Sequence, residues 1–217
     1  MNRYESYITT ASGRQLHIFL PREEEIHHED IATGLSNECR WGGQLPEFYS
    51  VAQHSTLVGK LAQMLAFDAG LNADTARYIA LVGHLHDAAE GLGMRDLPTP
   101  IKRFIPEYEA VEHELLCGIM FKYVSRAPEE VFSAMTHVSV QNRMYIEPVL
   151  HPLVWKADAI ILATENRDLR VKHECGIQGL WHPAEEPRPE VIHPMAPKEA
   201  KSAWLARFHE LTEGRHL

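Results

Sequence analysis

HLHDAAE, residues 84 to 90, places two histidines, an aspartate and a glutamate within seven residues of an otherwise apolar stretch. A helix that only packs against its neighbours has no use for so many ionisable groups, so this stretch decides how the chain is read. The residues before it carry a helical pattern. Asn72 or Asp74 can cap the start, and Tyr78, Leu81, Val82 and Leu85 recur at spacings of three and four, which predicts a helix running to about Leu92. On such a helix residues i, i+3 and i+4 share a face, so His86, Asp87 and Glu90 are expected to project into one cleft. His84, about 200° around the helix from His86, is expected to point elsewhere.

Imidazole beside carboxylate suits a divalent metal such as Zn, Mn, Co or Fe. Two adjacent ligands do not fill a coordination sphere, so distant helices must supply the others. His54 in VAQHS and Asp158 in VWKADAIIL each stand among apolar residues at helical spacing, where a polar side chain is costly without a partner. Taken alone, a helical histidine is more often a surface residue or a satisfied core residue than a ligand. The weight rests on the combination.

The rest of the chain sets the frame. Its 217 residues can bury a sizeable core, and one domain over 1–217 is expected. Hydrophobic residues make up 45% and charged ones 24%, ordinary for a globular protein. Apolar runs such as IALVG and AIILA fall far short of the roughly 18 residues that suggest a membrane span, and MNRYESYITT lacks the apolar region of a signal peptide. A cytoplasmic location is expected, or the host cytoplasm for a phage product. Cys39, Cys117 and Cys175 are scattered without C-x-x-C spacing, which argues against a disulfide framework or a thiolate zinc site. The formal charge of −9 and the absence of a basic stripe argue against binding nucleic acid. A polyanionic substrate would need a local positive pocket or bound cations.

The expected architecture is all-α, a helical bundle with a small N-terminal β-hairpin over about 4–20. The helical core spans about 29–170, with helices near 29–38, 51–70, 106–124, 128–137 and 149–167, and no interior strands are expected. A proline-rich connection over 176–197 leads to a final amphipathic helix, 198–212. Glu112, His113 and Glu114 read as the solvated face of the 106–124 helix.

The order H…HD…D on helices resembles the HD superfamily of metal-dependent phosphohydrolases. The likeness extends to Arg40-Trp41, the HS of VAQHS, HDAAE, DLPTPIK (96 to 102) and KADA, which resemble in order and spacing the 5′-deoxynucleotidase branch of that superfamily. The wider run EDIATGLSNECRWGGQLPEFYSVAQHSTLV resembles phage dATP triphosphohydrolases most of all. The resemblance covers the chain from Glu24 to the last helix.

It implies that His54, His86, Asp87 and Asp158 hold one divalent ion (Zn, Co, Mn or Mg), leaving positions for water and a phosphate oxygen. It further implies that Glu90 positions or deprotonates the attacking water, and that Asp96 orients water or protonates the leaving 5′-oxygen. Arg40 would bind phosphate and Trp41 would stack a base, and Lys102 and Arg103 would add local positive charge. The implied substrate is a deoxynucleotide, dATP first, cut to deoxyadenosine and triphosphate with possible action on dADP and dAMP. That activity would suit a phage with modified adenine, and self-association is expected by the same resemblance. A 5′-deoxynucleotidase acting on monophosphates and a non-catalytic, metal-stabilised regulatory module are the alternatives. The RW and DLPTP runs point away from an alarmone hydrolase.

Overall fold

The computed structural model describes residues 6–124, 135–140, 143–148, 150–171 and 184–213. It is mostly helical, with a two-stranded antiparallel hairpin at the start: β1 (Tyr7–Thr9) pairs with β2 (Gln15–His17), Ile8 opposite Leu16. The hairpin turn is tied down by Asp30, whose carboxylate accepts the Ser12 backbone N–H at 2.8 Å and the Ser12 hydroxyl at 2.7 Å. Asp30 lies on α1 (His28–Asn37), so the hairpin is fixed to the helical core.

Two long helices, α2 (Val51–Asp68) and α3 (Ala73–Leu85), form the centre. Ser50 caps α2 by accepting the Gln53 N–H, and Asn72 caps α3 by accepting the Thr75 N–H. Their crossing is unusually close because Gly59 faces Ala80: a Cβ on Gly59 would stand 2.9 Å from the Ala80 carbonyl oxygen. This contact lets His54 and His86, from two separate helices, come within reach of each other.

α3 stops at Leu85 instead of continuing to Leu92. His86 keeps helical angles, Asp87 swings to φ −104°, ψ 14°, and a tight 3-10 turn follows over Ala88–Leu92. Packing accounts for the difference. The turn crosses α1 with backbone on backbone, and a Cβ on Gly34 would fall 1.9 Å from the Gly91 carbonyl oxygen. A straight helix would carry residues 88–92 away from α1; the bend brings them down onto it.

The chain continues through a short α4 (Thr99–Lys102) and a long α5 (Pro106–Val124). Two strands follow, β3 (Met135–Val140) and β4 (Arg143–Pro148), paired antiparallel with Val140 opposite Arg143. This hairpin corrects two expectations, the absence of interior strands and a helix reaching Thr136 and His137; the remainder of that expected helix lies outside the described residues. Thr136, Val138 and Val140 alternate along β3, and β-branched residues at period two favour a pleated strand.

α6 (Pro152–Asp168) packs across α2 and α3, and α7 (Pro197–Thr212) closes the bundle against α1 and α2. Between them, residues 184–196 run as an ordered strap without helix or strand. Gln53 holds the strap from α2: its side-chain N–H donates to the His193 carbonyl and its side-chain oxygen accepts the Met195 N–H, both at 2.8 Å. The core fills with Ile31, Leu35, Ile79, Leu81, Leu85, Leu115, Trp204 and Phe208. Cys39 and Cys117 are free thiols, while Cys175 lies outside the described residues.

Candidate metal centre

Three elements contribute four side chains to one point. His54 comes from the second turn of α2, His86 and Asp87 from the bend after α3, and Asp158 from the second turn of α6. His54, His86 and Asp87 form a group that could hold a metal ion, one donor atom of each lying within 4.8 Å of the others. The two Nε2 atoms are 3.3 Å apart. Asp87 Oδ2 lies 3.1 Å from His86 Nε2 and 3.5 Å from His54 Nε2. Asp158 Oδ1 lies 3.2 Å from His54 Nε2 and 3.9 Å from His86 Nε2.

These separations test the fit of an ion. Bonds of about 2.0–2.2 Å in a tetrahedral or octahedral set put neighbouring donors about 3–3.5 Å apart. The outer nitrogens agree with this. His86 Nδ1 pairs at 2.8 Å with the Gly83 carbonyl and His54 Nδ1 at 2.6 Å with Glu165 Oε1, both acceptors, so each Nδ1 carries the proton and each Nε2 faces inward. Two imidazole lone pairs aimed at one another repel unless positive charge sits between them. Burial and Arg40 disfavour a charged His54, yet Glu165 and Asp158 push its pKa up to about 9. The residues fit a divalent ion.

Glu165 organises the surroundings. It is fully buried on α6, two turns after Asp158. Its Oε1 accepts from His54, while its Oε2 accepts from Arg40 Nε at 3.3 Å and from the Trp41 indole N–H at 3.1 Å. Burial alone would raise its pKa, but Arg40 and His54 hold it below the ordinary glutamate value. Sequence reading overlooked Glu165. The signal was an acid seven residues after Asp158, on the same helical stripe.

Arg40 and Trp41 therefore sit differently from a simple pair of substrate contacts. Arg40 lies between Glu165 and Asp87 Oδ2, the latter 3.3 Å from its Nη1, and also lines the cavity beside the ligands. Burial would lower its pKa, whereas Glu165, Asp87, Asp96 and Asp158 together hold it well above the ordinary value. Trp41 has φ +60°, a rare conformation for an aromatic residue. Its backbone N–H donates to Asp96 Oδ2 at 3.2 Å, its indole N–H to Glu165, and the Arg170 guanidinium lies over its ring at 4.8 Å.

Beside the ligands opens a cavity of about 270 Å³. His86, Asp87, Asp158, Arg40, Glu90, Asp96, Lys102 and Glu112 line it, and Leu97, Leu116, Leu150 and Trp155 also face it. Glu90 is buried, and its Oε2 has no hydrogen-bond partner. Burial, reinforced by Asp87 and Asp96, pushes its pKa well above the ordinary value. Burial raises Asp96 as well, against Arg40.

Lys102 pairs with Glu112 inside the cavity. Glu112 is 5% exposed, so the solvated face expected for it is corrected: the α4 segment lies along α5 and covers that side. Arg103 is exposed and does not line the cavity. The structure thus gathers His54, His86, Asp87, Asp158, Glu90, Asp96, Arg40 and Lys102, and leaves Arg103 outside.

No protein-family model matches the chain. It is 33% identical over 215 residues to the uncharacterized protein YfdR of Escherichia coli (strain K12), a match covering 97% of this chain and 98% of that protein. An uncharacterized protein of Rhodobacter capsulatus is 35% identical over 115 residues, which cover 52% of this chain and 55% of that protein. With nearly the whole length of both chains aligned, this chain belongs to the same family as YfdR.

Proposed function

We propose that this chain is a metal-dependent phosphohydrolase of deoxynucleotides, with dATP as its substrate and deoxyadenosine and triphosphate as its products. One observation carries the reading: two inward-facing imidazoles and two carboxylates meet at one point on the wall of a cavity that also holds the buried carboxyl of Glu90, whose Oε2 has no hydrogen-bond partner among the described residues. The resemblance to HD phosphohydrolases supplies the reaction type.

His54, His86, Asp87 and Asp158 would hold the ion, whose chemistry is to polarise a phosphoryl oxygen and acidify water. Glu90 accepts a proton from the attacking water as its oxygen bonds to the α-phosphorus. The bond between that phosphorus and the 5′-oxygen breaks, and Asp96 delivers or relays a proton to the leaving oxygen. Arg40 and Lys102 supply charge to phosphate oxygens, and Glu165 keeps Arg40 and His54 oriented.

A second reading, a 5′-deoxynucleotidase acting on monophosphates, is favoured by the charge of the cavity. Among the described lining residues, five carboxylates, Asp87, Glu90, Asp96, Glu112 and Asp158, stand beside two fixed cations, Arg40 and Lys102, which already pair with Asp87, Glu165 and Glu112. A monophosphate asks less compensation of such a wall than a triphosphate does.

Incubating metal-loaded protein with each dNTP and dNMP separately, followed by anion-exchange analysis, separates the two readings. Deoxyadenosine and intact triphosphate from dATP alone support the first; phosphate from several monophosphates with dNTPs untouched supports the second. Glu90→Gln should lower turnover by about 10²–10⁴-fold while metal content stays at the wild-type level. Wild-type protein with stoichiometric metal and no turnover of any deoxynucleotide would leave a metal-stabilised regulatory module instead.

A further inference from the structure

We propose that Trp155 is the platform on which the nucleobase stacks, and that it, not Trp41, sets the preference for a nucleotide over a simple phosphate ester. The proposal rests on the deoxynucleotide reading above and names the base-binding part of the same site. Trp155 and the metal ligand Asp158 stand at i and i+3 on α6, so both leave the same face of one helix and both line the cavity. A ligand that reaches from an ion held beside Asp158 to Trp155 needs an anionic group at one end and a flat apolar group at the other. A 5′-nucleotide has that form.

The lining of the cavity is of two kinds. Leu97, Leu116 and Leu150 line the cavity with it, whereas the remaining wall is dominated by carboxylates. Trp155 is nonetheless 55% exposed, so a large aromatic surface at the cavity is left for something else to cover. Trp41 offers no such surface: it does not line the cavity, its indole N–H is committed to Glu165, and Arg170 covers its ring. Stacking on an indole tolerates any base, so Trp155 confers affinity for nucleotides without choosing among bases.

The test compares binding of dAMP and of 2-deoxyribose 5-phosphate, which lacks the base, to metal-loaded wild type, Trp155→Ala and Trp155→Phe by calorimetry. Trp155→Ala should weaken dAMP about 10- to 100-fold and leave deoxyribose 5-phosphate within about twofold, with Trp155→Phe recovering most of the dAMP affinity. In steady-state assays the loss should fall on KM more than on kcat. Unchanged dAMP affinity in Trp155→Ala, equal loss of both probes, or no binding of dAMP by wild type would overturn the proposal. Trp155-dependent dAMP binding with no turnover of any dNTP or dNMP would leave the platform standing and remove the hydrolase reading. Deoxynucleotide hydrolysis with an unaltered KM in Trp155→Ala would do the reverse.

Discussion

His84 and His86 lie two residues apart and live in opposite worlds. The His84 ring is fully buried, stacks on Trp204 at 4.5 Å, and meets the Trp204 carbonyl at 3.1 Å through Nε2. Burial pushes its pKa down to about 3, so it is a neutral core residue. His86, a little more than a half-turn around, directs Nε2 toward His54, Asp87 and Asp158 and anchors Nδ1 on Gly83. The same side chain serves packing on one side of the bend and joins a group that could hold a metal ion on the other, and the difference lies wholly in what the helix faces. The apolar side is held by area and shape, the polar side by a few directed bonds.

The largest effect is expected on the apolar side. Trp204 is fully buried between His84 and Phe208, whose ring stacks on it at 5.4 Å. Trp204→Ala should cost about 3–5 kcal/mol in urea unfolding. If the two sides are independent, metal affinity of the folded variant stays within about twofold of wild type; a larger loss would show that packing also shapes the ligand group.

Next comes the polar side. Glu165→Gln keeps an acceptor for His54 but removes the charge that faces Arg40 and His54. Metal affinity by chelator competition should fall about 10- to 100-fold. An unchanged affinity would mean that Asp158 and Asp87 alone orient His54.

The smallest effect belongs to the hairpin, remote from both. Burial would raise the Asp30 pKa, yet the Ser12 hydrogen bonds hold it below its ordinary 3.8. A carboxyl depressed in the folded state stabilises fully above that value and loses its contribution as the pH falls through the lower folded value. Asp30→Asn should therefore cost roughly 0.5–1 kcal/mol at pH 7 and flatten the stability loss below about pH 4. A variant that still loses stability as steeply below that pH would assign the acid response to other carboxylates.

Much of this arrangement is legible in the chain. The apolar spacing around Val58, Leu61, Leu81 and Leu85 announces α2 and α3, and Asn72 announces the cap. The ligand quartet is legible because polar groups inside apolar helical stretches need partners. The β3–β4 hairpin was missed, although Thr136, Val138 and Val140 alternate; a six-residue strand competes poorly with the helices on either side. Glu112 was taken for a surface acid because its spacing on α5 is that of a solvated face, and only the arrival of Lys102 from α4 buries it.

By itself, then, the sequence determined the helices, their caps, the remote position of His84 and the identity of four residues suited to a cation, since periodicity and the cost of burying polar groups are local properties. Tertiary structure decided the rest. It broke α3 at Asp87 because α1 and the 88–92 turn meet backbone to backbone, turned Arg40 toward Glu165, and left Trp155 at the cavity instead of Trp41. Each of these depends on contacts between residues 50 or more positions apart, where no spacing rule reaches and only the packing of whole elements sets which groups meet.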